Sequence, residues 1–143
     1  MSDIKILIVS GAFYKDIADP MVEGAKKAAR AAGADVETVE VPGALEIPGA
    51  MVQAELADAG YDGYVGLGCV IRGETSHYDY VCAESARALM ELTLNGLAIG
   101  NGILTVENRA QAMTRAIDKN KGADAINACL SLIALRRKFE AAQ

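Results

Sequence analysis

The chain has little of what metal centres, disulfide frameworks and disordered segments are made from. Its 143 residues include three cysteines, one histidine and three prolines. Cys69, Cys82 and Cys129 are odd in number, widely spaced and form no C-x-x-C pair. A metal site or disulfide framework is therefore not expected, and a reduced, cytoplasmic setting is. Scarce proline, with 52% apolar and 23% charged residues, excludes a disordered chain and describes a compact soluble one. Positive charge is also short, with 14 Lys and Arg against 19 Asp and Glu and a net charge of -5. That argues against nucleic acid or an anionic membrane as the main partner, while a local basic patch can still hold one phosphate. No run is long and apolar enough for a signal peptide or a membrane span.

What is present is a regular alternation. Ile4 to Ser10 is a short apolar run ended by Gly11, the pattern of a strand buried on both faces. Residues from Asp16 to Ala32 carry helical periodicity and stop at Gly33. Val36 to Val41 alternates polar and apolar residues and ends at Pro42-Gly43, as a polar-edged strand does. A second helix is predicted from Ile47-Pro48 to Gly60, a third strand from Tyr64 to Ile71, and a third helix from Ser76 to Leu94. Leu97 to Thr105 reads as a fourth strand interrupted by Gly100-Asn101-Gly102; two helices follow, Asn108 to Asp118 and Ala123 to Phe139. The order predicts one domain over residues 1–143. It is a three-layer α/β/α sandwich on a four-stranded, mainly parallel sheet, flavodoxin-like, with right-handed crossovers.

Open parallel sheets hold ligands at the carboxyl ends of their strands. Four segments are expected there: Gly11 to Tyr14, Val41 to Glu46, Ile71 to His77, and Thr105 to Asn108. His77 is the default proton carrier at neutral pH, and its address raises it above an ordinary lone histidine. Arg72-Gly73-Glu74-Thr75 leads into a helix start, whose free amides and dipole suit an anion, although Thr75 or Ser76 could serve only as a cap. Phe13 reads equally well as a packing staple or a platform for a flat ring. Pro42-Gly43-Ala44 taken alone reads as a tight turn, and Glu46 as a helix-start residue or an acceptor for hydroxyls. Cys69 reads as apolar filler before it reads as a nucleophile. Arg115 has the look of a solubilising mid-helix arginine, and Lys121-Gly122 of an interhelix turn. Neither a Walker A loop nor G-x-G-x-x-G occurs, so any phosphate bound belongs to a small molecule.

In combination the segments are specific. Val41-Pro42-Gly43-Ala44-Leu45-Glu46-Ile47-Pro48, then Gly68-Cys69-Val70-Ile71-Arg72-Gly73-Glu74-Thr75-Ser76-His77, then Gly102-Ile103-Leu104-Thr105, Arg115-Ala116 and Asn120-Lys121-Gly122 resemble the 6,7-dimethyl-8-ribityllumazine synthases. The resemblance runs from about Ile4 to Leu135, and the block ending in His77 is its most specific part.

The resemblance implies a cofactor-independent condensation of 5-amino-6-(D-ribitylamino)uracil with 3,4-dihydroxy-2-butanone 4-phosphate, releasing phosphate and water. It is the penultimate step of riboflavin synthesis, a transferase-class reaction. His77 would be the general acid/base. Arg115 and the backbone around Gly73, Glu74 and Thr75 would hold phosphate. Phe13 would stack on the pyrimidine. Gly43, Ala44, Leu45, Glu46, Cys69, Val70, Ile71 and Asn101 would complete the substrate site, with Ala44 and Glu46 facing the ribityl chain. Three positions depart from the family pattern: Tyr14 follows Phe13 where many relatives have asparagine, Asn101 stands where relatives often have phenylalanine, and Thr114 precedes Arg115 where some have glutamate. No polar contact is therefore assigned to Tyr14, and no ring stacking to Asn101.

Family members form pentamers, decamers or sixty-subunit capsids with active sites between subunits, so the resemblance implies that Ile99 to Leu104 and Arg115 reach a neighbour's pocket. The short stretch before the first strand and the short link after Arg115 favour a free homopentamer here. Two rivals remain on sequence grounds: a non-catalytic lumazine- or flavin-binding protein on the same fold, and an archaeal-type riboflavin synthase that disproportionates two lumazines. A storage protein needs no proton carrier, which counts against the first.

Overall fold

β1 (Lys5–Gly11) is buried along nearly its whole length, and successive residues leave it in opposite directions. In the computed structural model, which describes residues 3–143, Ile6 and Ile8 join one apolar cluster while Leu7 and Val9 join another. A strand can be apolar throughout only if both its faces are covered, so β1 sits inside the sheet. It pairs in parallel with β2 (Asp35–Val41) on one side and β3 (Gly63–Ile71) on the other, and β3 pairs in parallel with β4 (Ile99–Val106). The order is β2-β1-β3-β4. The sheet is wholly parallel, and the polar alternation of β2 fits its place at an edge.

The first cluster packs Ile6, Ile8, Val65 and Leu67 against Ile17 and Met21 of α1 (Lys15–Ala31) and Ile126 and Ile133 of α5 (Lys121–Ala141). The second packs Leu7, Val9 and Ile99 against Ile47 and Met51 of α2 (Ile47–Leu56) and Leu89 of α3 (His77–Leu94). Two helices on each face of one sheet make the expected α/β/α sandwich. The fifth, α4 (Arg109–Met113), follows β4.

Four boundaries depart from the sequence reading. β4 is not interrupted at Gly100-Asn101-Gly102: its register with β3 runs unbroken from Ile99 to Val106. Those glycines answer to packing, since a β-carbon on Gly100 would strike the Ala125 carbonyl of α5. α2 ends at Leu56, before Gly60, and the chain turns through Asp58 and Gly60, both at positive φ. The expected Asn108–Asp118 helix is the short α4 followed by a π turn over Thr114–Asp118. α5 starts at Lys121, so Lys121-Gly122 is its first turn and not a separate interhelix turn; Asn120 in the left-handed region caps it by accepting from the Ala123 amide.

Candidate active site

Parallel pairing brings all four strand exits to one edge. Two backbone bonds gather them in pairs: Ala12 N–H donates to the Val41 carbonyl at 2.9 Å, and Arg72 N–H to the Val106 carbonyl at 3.0 Å. At Gly11 the chain approaches Gly43 so closely that a β-carbon would lie 3.0 Å from the Gly43 carbonyl carbon. Small residues thus allow the first two loops to touch. Beyond Gly43, Ala44–Glu46 coil into a single 3₁₀ turn rather than a simple β-turn.

Between these loops and the start of α3 lies a cleft of about 370 Å³, lined by residues of the β1, β2 and β3 exits. Phe13, Gly43, Ala44, Leu45, Glu46, Cys69, Val70, Ile71, Gly73, Thr75 and His77 all contribute. The size and largely apolar lining suit a small ring compound with a few fixed polar contacts. Phe13 does not staple the loop to α1: it is 73% exposed and meets Tyr14 edge to face, with ring centroids 4.9 Å apart. Its ring face is therefore open to a ligand. Glu46 is exposed on the rim, and no side-chain cap bond holds it at the start of α2.

His77 is the first residue of α3 and is exposed; its backbone N–H donates to Thr75 Oγ1 at 3.3 Å. Thr75 thus ties the turn back on itself, leaving the imidazole facing the cleft rather than the core. Cys69, at the cleft wall, is buried, and that burial pushes its thiol up to about 11. The thiolate, the reactive form, is scarce at neutral pH. Iodoacetamide at pH 7 should leave Cys69 intact while a free thiol is consumed. Its labelling should rise with pH towards 11, read by peptide mass spectrometry; fast labelling at pH 7 would contradict the packing role.

Some expected site residues lie elsewhere. Asn101 and Arg115 line a second cleft of about 340 Å³, with Lys121 and Asp124, on the outer side of edge strand β4 against α5. The two clefts share no residue. Arg115 is half-buried within the π turn, and Nη1 donates to the Gln111 carbonyl at 3.1 Å. Glu74 is exposed and outside the first cleft's wall. The Thr105–Asn108 segment leaves the same sheet edge but does not line the first cleft: Asn108 caps α4, and Glu107 binds Arg72.

Pro42, Tyr78 and Val81 line the first cleft without having been singled out as ligand residues. Val81 lies four residues after His77 on α3, so helical spacing from His77 was the signal for it; Tyr78, the next residue, carried no such signal. The clefts also divide the charges. The first holds the imidazole and one carboxylate but no Lys or Arg, whereas the second holds Arg115 and Lys121.

A parallel α/β sheet with an apolar cleft, a helix start and one imidazole at its carboxyl edge defines an enzyme of the small-molecule-binding α/β class. Residues 3–137 match the family model described as 6,7-dimethyl-8-ribityllumazine synthase. A protein of that name from Novosphingobium aromaticivorans is 55% identical over 137 residues, covering 94% of this chain and 98% of its own. Synthases of the same name from Bartonella tribocorum and Zymomonas mobilis are 55% and 53% identical, each over 94% of this chain, with 91% and 98% of their own lengths covered. The chain belongs to the 6,7-dimethyl-8-ribityllumazine synthase family.

Proposed function

We propose that this enzyme condenses 5-amino-6-(D-ribitylamino)uracil with 3,4-dihydroxy-2-butanone 4-phosphate to give 6,7-dimethyl-8-ribityllumazine, phosphate and water. The observation that carries this reading is one cleft uniting an apolar slot, an exposed imidazole and a helix-start turn. An arylamine attacks the ketone and water leaves to form an imine. Loss of the proton α to the imine expels phosphate, the resulting enol tautomerises to a ketone, and the ribityl-bearing amine closes on that carbonyl with loss of a second water. These steps move protons and require two reactants held together, which is what a positioned imidazole and a shaped cleft supply.

His77 is the proton carrier in this reading. Phe13 stacks on the pyrimidine, whose edges meet the backbone of Val70 and Ile71. Ala44 and Glu46 serve the ribityl chain, and the amides of residues 73–75 receive the phosphate. Amides alone leave most of a phosphate dianion's charge unmatched, and the first cleft has no cationic side chain of its own. Arg115 supplies that cation from a second copy. The exposed side of edge strand β4 is the surface through which it is brought. The active unit is accordingly a closed homo-oligomer, a pentamer by family resemblance, with sites between subunits. We place it in the cytoplasm, where Cys69, Cys82 and Cys129, all free, stay reduced. No described helix is long and apolar enough to cross a membrane.

The test mixes purified protein with both substrates and follows lumazine absorbance and fluorescence above the uncatalysed background. Formation proportional to enzyme, with phosphate release, is expected. Tight lumazine binding with no rate above background would make the chain a binding protein instead. Riboflavin formed from lumazine alone would make it a riboflavin synthase.

A further inference from the structure

Arg72 stands at the exit of β3, five residues before His77, and has more partners than any other exposed arginine near the cleft. Its Nε donates to both Glu107 carboxylate oxygens, at 3.0 and 3.1 Å. Nη1 reaches Asp79 Oδ1 at 3.4 Å, and the guanidinium lies over the Tyr78 ring, 4.2 Å from its centroid. Glu107 follows β4 directly, and its backbone N–H is held by Gln111 Oε1 at 2.8 Å. Tyr78 and Asp79 are the two residues after His77 in the first turn of α3. One planar cation thus clasps a fixed point beyond β4 to the turn that carries the imidazole. Its geometry uses what arginine offers: an Nε–H shared by two carboxylate oxygens, an Nη for a second carboxylate and a flat face for an aromatic ring.

With Nε on Glu107 and Nη1 on Asp79, and with no place in the lining of the first cleft, Arg72 is ill placed to serve as the phosphate cation. Nor is it expected to matter much for stability, because ion pairs at half-exposed sites contribute little. What remains is orientation. Ser76 makes no side-chain cap bond at the start of α3; its carbonyl accepts from the Asp79 and Tyr80 amides, and Thr75 and the Arg72 clasp are the polar side-chain contacts that tie this first turn down. We propose that Arg72 is a positioning residue for His77, setting the imidazole's place over the cleft by joining Glu107 to Tyr78 and Asp79. The proposal rests on His77 being the proton carrier and names the residue that holds it.

Arg72→Ala should lower kcat by about 10- to 100-fold with both Michaelis constants within about twofold, because small misplacements of a catalytic group have effects of that size. Arg72→Lys, which keeps the charge but not the planar fork, should recover only part of the loss. Glu107→Gln should give a smaller loss of the same kind and stands in if Arg72→Ala does not fold. In a His77→Ala background, Arg72→Ala should have no further effect. A substrate-free readout is also at hand, since His77 is the only imidazole: its ring Cε1–H resonance should shift or broaden in Arg72→Ala. An equal loss in the His77→Ala background, a rise confined to the Michaelis constant of the ketone phosphate, or an unmoved resonance would overturn the proposal. Absence of wild-type turnover would instead remove the synthase reading, and the resonance would still decide whether Arg72 positions His77.

Discussion

His77→Ala lowers turnover by about 10²- to 10⁴-fold, the usual contribution of a positioned general acid/base. The loss falls on kcat, because every other side chain lining the cleft stays in place when the first residue of α3 is truncated. Two neighbouring lining groups hold their protons at neutral pH. Cys69 keeps its proton because burial raises its thiol to about 11. Burial is also the largest influence raising the Tyr78 hydroxyl above its ordinary value. Glu46 is a rim carboxylate outside α3. The structural cost is slight, since His77 is exposed and its imidazole has no hydrogen-bond partner among the described residues. Steady-state rates alongside a thermal melt check both statements. A variant as fast as the parent would remove His77 from the chemistry; a drop below tenfold would mean that holding the two reactants together contributes more than the proton carrier does.

Arg115→Ala raises the Michaelis constant for the ketone phosphate by about 10- to 150-fold, the equivalent of one lost charged hydrogen bond of about 1.5–3 kcal/mol. The constant for the pyrimidine stays near its original value. The cation of Arg115 lies in a different cleft from His77 within one chain. A shared site therefore predicts a second, sharper result. His77→Ala and Arg115→Ala chains, each nearly inactive under limiting ketone phosphate, should regain activity when unfolded and reassembled together. Some interfaces then pair an intact His77 with an intact Arg115. Kinetics on the mixed and unmixed proteins check this. No recovery would show that each cleft works with residues of its own chain, and a pyrimidine effect without a ketone effect would remove Arg115 from the phosphate.

The layered architecture was legible because burial on both faces leaves a mark in a single strand. β1 and β3 read as apolar and β2 as alternating, and the structure sets the first two inside the sheet and the third at its edge. β4 was misread where its glycines looked like a break. The reason for Gly100 is the Ala125 carbonyl of α5, twenty-five residues along the chain, and no local pattern contains it. The π turn at Thr114–Asp118 was equally hidden, since its residues fit an ordinary helix. The first cleft was readable because its walls come from consecutive residues just past three strands. Asn101 and Arg115 were joined to it only by family resemblance, and the fold sets them in a cleft of their own. The Arg72 clasp joins residues up to thirty-five apart in sequence, a distance at which charge pattern alone gives no pairing.

The strand order also dictates a schedule for synthesis. β1 is made first, but one of its two neighbours, β3, is not complete until Ile71 has been added, and β4 has no partner before β3 exists. Parallel neighbours cannot be joined by a tight hairpin, so every pairing in this sheet must wait for a crossover to close. On the ribosome, a strand that is buried on both faces in the finished sheet therefore spends its early life with an open flank. The nascent chain is most exposed to wrong partners between the emergence of Gly11 and that of Ile71.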